Sequence, residues 1–269
     1  MRIDQLLVER GLAASRSQAQ RLIAGGVKWQ QPDGAWRTVV KNRDEVPESA
    51  ALELLDDAES RYVSRGGLKL EGALKATGVQ VDGLRCLDVG QSTGGFTDCL
   101  LQHGAAEVVG VDVGHAQVHP RISQDERVVC IEGVNARELE PGDERIPDAL
   151  EGFDLVVGDV SFISLTLVLP ALSAVSKPDA DFLLMVKPQF EVGREKLGAG
   201  GVVRDPALRK SAVMDVAMSA YDVGLGTKGV VASSLPGPAG NVEYFLWLKR
   251  GTGEISESAL EEAIQIGPQ

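Results

Sequence analysis

The segment Asp88-Val89-Gly90-Gln91-Ser92-Thr93-Gly94-Gly95-Phe96-Thr97 carries the residue types best suited to holding a ligand. Gly90, Gly94 and Gly95 let a backbone turn sharply and come close to a bound molecule. A helix starting near Gly95 presents unpaired amides at the same place, with Ser92, Thr93 and Phe96 on the turn. The spacing is not GxGxxG, and no Gly-Lys-Ser/Thr follows, which disfavours a dinucleotide and excludes a P-loop. Asp112 stands 22 residues after Gly90, at the end of the next apolar run. A carboxylate there accepts hydrogen bonds from both hydroxyls of a ribose. Asp88 is placed to face a cationic or amino-bearing group. S-adenosylmethionine has a ribose, an amino group and a sulfonium but no pyrophosphate, and it fits this set. Val113, beside Asp112, and Asn135, after the following strand, complete the candidate cofactor residues.

A crevice of this kind needs an ordered frame. From about residue 66 the sequence alternates between helical and extended patterns. Strands are expected at 84–89, 107–111, 128–131, 153–157, 182–186, 229–233 and 243–248, with helices at 66–76, 96–103, 165–175 and 207–221. Such alternation implies an α/β fold, a Rossmann-like, mostly parallel sheet with helices on both faces. Ligands in these sheets bind beyond the carboxyl ends of the strands. The first 60 residues read differently. Two short helices, carried by Ile3, Leu6 and Leu7 and by Ala19, Leu22 and Ile23, precede extended runs at 27–29, 36–40 and 51–55, a small α+β module. The expected organisation is therefore a module over 1–60, a linker over 61–65, an α/β domain over 66–250 and a tail over 251–269. Within the tail, 256–264 reads as one short exposed helix.

Charge separates the two parts. The 269 residues carry a net charge of −12, yet residues 1–43 hold eight Lys or Arg against three Asp or Glu, a balance of +5. The remainder is then −17. Local charge governs which surface meets a phosphate backbone, so a basic module on an acidic domain is expected to meet nucleic acid. Arg2, Arg16, Arg21, Lys28, Lys41 and Arg65 are the candidates for contact with its phosphates. No apolar run has the length of a membrane span. The start lacks a signal-peptide core, and Cys86, Cys99 and Cys130 form no CxxC pair, which together point to a cytoplasmic protein with reduced thiols. His115 and His119 are four apart, but without further ligands no metal site is expected.

The glycine turn with Asp98-Cys99-Leu100, followed by Val111-Asp112-Val113-Gly114, resembles the TlyA (haemolysin A) family of ribosomal RNA methyltransferases and the wider FtsJ/RrmJ class of 2′-O-methyltransferases. Arg2-Ile3-Asp4, the run from Gly11 to Ala19, and Gly26-Val27 resemble the S4 RNA-binding module. The resemblance spans about residues 1–250. It implies a class I methyltransferase sheet, S-adenosylmethionine as cofactor, ribosomal RNA or ribosomal subunits as partner, and ribose 2′-O-methylation of cytidine.

The FtsJ-like class uses a Lys–Asp–Lys–Glu set, whose positions match Lys69, Asp159, Lys187 and Glu243. Asp159 and Lys187 directly follow apolar strands at the end of the sheet that carries the glycine turn. By resemblance Lys187 is the general base for the ribose hydroxyl, with Lys69 beside it and Asp159 and Glu243 positioning lysines and substrate. Amino-directed base methylation typically uses Asn/Asp-Pro-Pro-aromatic where this chain has Asp159-Val160-Ser161-Phe162. Carbon-5 methylation needs a cysteine that neither the fourth nor the fifth strand supplies. The rival readings are a non-catalytic S4-type RNA-binding protein, which the intact Lys–Asp–Lys–Glu set opposes, and a membrane-active haemolysin, which the lack of an apolar span opposes.

Overall fold

A computed structural model describes residues 1–13, 15–54, 61–237 and 239–267. The side chains of residues 17, 21, 24 and 25 lie outside this description, as do residues 55–60, which end the expected third extended run and the expected module. The chain divides into two compact units, Met1–Arg65 and Gly66–Gln269.

In the first unit, α1 (Ile3–Glu9) and α2 (Arg16–Gly26) precede β1 (Val27–Gln30), β2 (Trp36–Thr38) and β3 (Leu52–Leu54). The strands pair antiparallel in the order β2-β1-β3. Ser15 caps α2 by accepting from the Gln18 amide, a usual way to satisfy a free helix N-terminus. Ile3, Leu6 and Leu7 of α1 pack with Ala19, Leu22 and Val27 in a small core.

The second unit is built on a seven-stranded sheet. Its elements are α3 (Arg65–Thr77), β4 (Arg85–Val89), α4 (Gly95–Gln102), β5 (Glu107–Asp112), α5 (Pro120–Ser123), β6 (Val128–Glu132) and β7 (Phe153–Gly158). There follow α6 (Leu169–Ala174), β8 (Ser176–Val186), α7 (Pro188–Glu191), α8 (Pro206–Asp222), β9 (Leu225–Ala232), β10 (Tyr244–Arg250) and α9 (Glu257–Ile266). The strand order is β6-β5-β4-β7-β8-β10-β9. Pairing is parallel from β6 to β8, and β10 runs antiparallel to both its neighbours. The central strands are nearly continuous apolar runs because helices cover both faces. Leu87, Val156, Leu184 and Leu246 pack with residues of α6, α8 and α9. On the other face, Phe245 of β10 stacks on Phe96 of α4, ring centroids 6.0 Å apart.

The sheet registers bring the candidate residues to one end. Val89 pairs with Gly158, so Asp159 follows beside Gly90, and its amide donates to the Val89 carbonyl at 2.9 Å. Tyr244 lies opposite Val186 in antiparallel register. Glu243, one residue before that pair, and Lys187, one after it, therefore meet at the same edge.

Two expectations need correction. The segment at 165–175 is not one helix: a 3-10 turn, Leu165–Leu167, precedes α6, with Pro170 at the start of the helix proper. A proline has no amide to donate and suits the first helical turn. The tail helix is not simply exposed. Leu260, Ala263 and Ile264 repeat at helical spacing and are buried in the main core, where α9 packs against α8 and β9.

Candidate active site

The turn after β4 is shaped for close approach. Gly90 has φ +81°. A Cβ there would lie 2.9 Å from the Asp159 carbonyl oxygen, so only glycine lets β4 turn away here while β7 ends beside it. Ser92 also adopts a left-handed conformation, at φ +48°. The Ser92 amide donates to Asp112 Oδ2 at 2.8 Å and the Gly114 amide to Asp112 Oδ1 at 2.7 Å. Asp112 thus stitches the glycine turn to the loop after β5 while each carboxylate oxygen keeps acceptor capacity. Beside it Val113 is exposed, unusual for a valine next to a sheet and suited to an apolar ligand surface. Asn135 is partly buried, and its side chain accepts from the Arg137 amide at 3.1 Å.

Asp88 is fully buried. Its Oδ2 accepts from the Thr97 hydroxyl at 2.7 Å, and that hydroxyl accepts from Gln91 Nε2 at 3.0 Å. Asp88 Oδ1 is buried with no hydrogen-bond partner. Burial pushes this carboxyl up to about 7, against the Thr97 hydrogen bond, with the nearby Asp159 and Asp112 charges adding to the rise. An orphaned buried oxygen beside a glycine cradle fits a donor group of a ligand such as S-adenosylmethionine. The Phe96 side chain is buried on Phe245, so only its backbone belongs to the turn.

The four charged candidates form two close pairs. Lys69 Nζ, from α3, lies 2.5 Å from Glu243 Oε2, with side-chain exposures of 8% and 0%. Glu243 Oε1 is buried and unpartnered in a cradle closed by Gly237, whose added Cβ would lie 2.5 Å from it. Lys187 Nζ lies 2.6 Å from Asp159 Oδ1 and donates to the Ser161 hydroxyl at 2.7 Å. Each lysine therefore has its own carboxylate.

Sequence reasoning did not assign two neighbouring features. Phe162 is 91% exposed and sits at φ +66°, a conformation side-chain-bearing residues rarely hold. Its ring lies 5.2 Å from that of Phe190, over which Lys187 Nζ stands at 5.9 Å. Loop aromatics carry no periodic signal, so neither the exposure nor the backbone twist was readable beforehand. Ser161 likewise gave no cue beyond its position after a strand.

The basic candidates divide. Arg2 donates to the buried Asp4 through Nε at 3.0 Å and Nη2 at 2.9 Å, and Arg16 Nη2 donates to Asp4 at 3.1 Å. Burial raises the Asp4 carboxyl, but these two guanidinium groups outweigh it and leave it below the ordinary value. Arg16 thus ties α2 to the Asp4 carboxylate of α1, with Arg2 on the same group, which answers the cost of leaving a buried carboxylate unpaired, while the two arginine side chains stay 53% and 35% exposed. Lys28 stands 3.9 Å from Glu53. Lys41 is exposed, and Arg65 is half-buried at the start of α3. The Arg21 side chain lies outside the described residues. His115 faces Glu132 at 3.8 Å and His119 caps α5, so the histidine pair does not converge.

A seven-stranded sheet with its last strand antiparallel, a glycine turn after its first strand and two lysine–carboxylate pairs beyond its strand ends together define a class I methyltransferase. Residues 62–250 match the FtsJ-like methyltransferase model and residues 1–26 match the S4 domain model. A Mycobacterium tuberculosis protein, the 16S/23S rRNA (cytidine-2'-O)-methyltransferase TlyA, is 50% identical over 98% of this chain and 95% of its own. Hemolysin A of Brachyspira hyodysenteriae is 36% identical over 91% of this chain and 98% of its own. Among solved structures, a hemolysin-titled protein from Streptococcus thermophilus is 37% identical, with a TM-score of 0.74 over 98% of this chain and 94% of that one. The chain belongs to the FtsJ-like methyltransferases and, within them, to the TlyA family. It is an S-adenosylmethionine-dependent enzyme. Among the described residues, no helix is long and apolar enough to cross a membrane.

Proposed function

We propose that the protein methylates the ribose 2′-hydroxyl of cytidine in ribosomal RNA, with Lys69, Asp159, Lys187 and Glu243 as its reactive set. The observation that carries this reading is the Lys187–Asp159 pair at 2.6 Å at the sheet end, beside the glycine turn. The rRNA (cytidine-2'-O)-methyltransferase relative, half of whose residues are identical, supplies the substrate class.

The Gly90–Gly95 turn, Asp88, Asp112, Val113 and Asn135 would hold S-adenosylmethionine, which when bound supplies an electrophilic methyl group on sulfur. Lys187 Nζ, once it has given one of its own protons to solvent, takes the proton of the attacking 2′-hydroxyl and becomes an ammonium again, which the adjacent Asp159 carboxylate stabilises. Ser161 keeps the amine aimed by accepting its hydrogen bond. Lys69, fixed by Glu243, presents a second positive group to the substrate side. The exposed Phe162 ring offers a face on which the target base stacks, as aromatic side chains do for unstacked RNA bases. Alignment of hydroxyl and methyl contributes ~7–11 kcal/mol when reacting atoms are held in near-attack geometry. The module over 1–60 docks the RNA through Lys28, Lys41 and the arginines around them, residues 61–65 link it, and 66–250 carries the chemistry.

The test is a radiolabelled methyl-transfer assay on ribosomal RNA and subunits with Lys187→Ala. Transfer is expected to fall below detection while S-adenosylmethionine affinity stays within about twofold. A Lys187→Ala protein as fast as wild type overturns the assignment.

A further inference from the structure

Glu191 is a half-buried carboxylate that the reaction itself does not use, yet it joins two of the loops that carry the reactive set. It ends α7, four residues after Lys187. Its Oε2 accepts from the Ser164 hydroxyl at 2.5 Å and its Oε1 accepts from the Leu165 amide at 3.0 Å. Ser164 is also 2.7 Å from the Thr166 hydroxyl and accepts from its amide at 3.1 Å, which completes a capped 3-10 turn at Leu165–Leu167. Asp159, Ser161 and Phe162 all lie within the five residues before this cap. The cap therefore fixes the far end of the loop that begins at β7, and it is anchored to the segment after β8.

Phe162 explains why such an anchor matters. A phenylalanine at φ +66° persists only where its surroundings over-determine the backbone. On one side the Asp159 amide is tied to Val89. On the other, Glu191 holds residues 164 and 165. The same carboxylate lies next in sequence to Phe190, the ring Phe162 touches at 5.2 Å. The short helix that carries this carboxylate therefore meets the 159–165 loop twice, through Glu191 at Ser164 and Leu165 and through Phe190 at Phe162.

We infer that Glu191 is a positioning residue for nucleoside engagement, acting by clamping the 159–165 loop so that Phe162 and Ser161 are presented to the target nucleotide beside Lys187. The inference rests on the methyl-transfer reading above. It places no group of Glu191 on substrate or cofactor. Glutamine can replace it: the amide oxygen accepts from the Leu165 amide, and the amide nitrogen donates to Ser164, whose hydroxyl both gives and takes hydrogen bonds.

The test compares wild type, Glu191→Ala, Glu191→Gln, Ser164→Ala and Phe162→Ala in steady-state methyl transfer on ribosomal RNA, with S-adenosylmethionine affinity measured separately by calorimetry. Glu191→Ala is expected to lower kcat/KM for RNA by at least tenfold with cofactor affinity unchanged within twofold. Glu191→Gln should recover to within threefold of wild type. Ser164→Ala, which keeps the Leu165 hydrogen bond, should fall between them and serves if Glu191→Ala does not fold. In a Phe162→Ala background the further loss from Glu191→Ala should shrink to threefold or less, because the two act through one loop. Equal kcat/KM for Glu191→Ala and wild type overturns the inference, as do full multiplication of the two losses, a parallel loss of cofactor affinity, or wild-type kcat/KM in Ser164→Ala when Glu191→Ala does not fold. A wild-type protein with no RNA methyl transfer at all would instead overturn the underlying reading.

Discussion

Replacing Glu243 by glutamine leaves the Lys69 ammonium buried without its counter-charge. Their nitrogen and oxygen lie 2.5 Å apart, and the side chains are 8% and 0% exposed, so solvent does little to compensate. Breaking a buried pair from one side costs about 3–5 kcal/mol. For a domain of this size each kcal/mol lowers the melting temperature by about 2–4 °C, giving a drop of about 6–20 °C. The double variant Lys69→Met/Glu243→Gln removes both charges and should lie within about 2 kcal/mol of wild type, because no uncompensated charge remains. Scanning calorimetry reads both. The double variant should fold and still transfer no methyl group, which separates the pair's chemical role from its structural one. A Glu243→Gln protein melting within 2 °C of wild type, or an active double variant, refutes the reasoning.

Asp88 provides a pH signature. Its carboxyl is held at about 7 in the folded protein against 3.8 as its ordinary value, so folding favours its protonated form. Its contribution to stability is fully present below pH 3.8 and is lost as pH rises to about 7, a change of ~4 kcal/mol at 1.36 kcal/mol per pH unit. Asp88→Asn should flatten that part of the profile, as measured by urea unfolding across this range; an unchanged slope excludes the buried ionisation. For the N-terminal module, Lys28→Ala/Lys41→Ala should weaken RNA binding and reduce the slope of log affinity against log salt by about 0.7–0.9 for each phosphate no longer neutralised. Unchanged slopes in filter binding would remove these lysines from the interface.

The sequence exposes some of this architecture better than the rest. Asp159 and Lys187 stand out because charged residues directly after apolar strands mark the ligand-binding end of a parallel sheet. The turn from Asp88 to Thr97 is legible for the same reason, since glycines there have a backbone task. Lys69 and Glu243 are 174 residues apart, and no spacing rule joins them; only the family resemblance singled them out. That Arg2 and Arg16 both pair with Asp4 was not readable, because charge counts do not show a buried carboxylate between them. Glu191 and Phe162 escaped because a carboxylate clamp and a left-handed aromatic depend on two loops meeting, which no local pattern encodes. The helix at 256–264 was legible, but it read as exposed, because the α8 and β9 surfaces that bury Leu260, Ala263 and Ile264 are not visible from the tail's own sequence.

The central claim is that distant lysines and carboxylates converge to deprotonate a ribose hydroxyl. Mass-spectrometric mapping of ribosomal RNA from cells lacking this protein, complemented with wild type or Lys187→Ala, tests it most directly. A 2′-O-methylcytidine that appears with wild type and is absent with Lys187→Ala is the predicted result. The same mark at full level with Lys187→Ala, or a methyl group carried on the base, would contradict it.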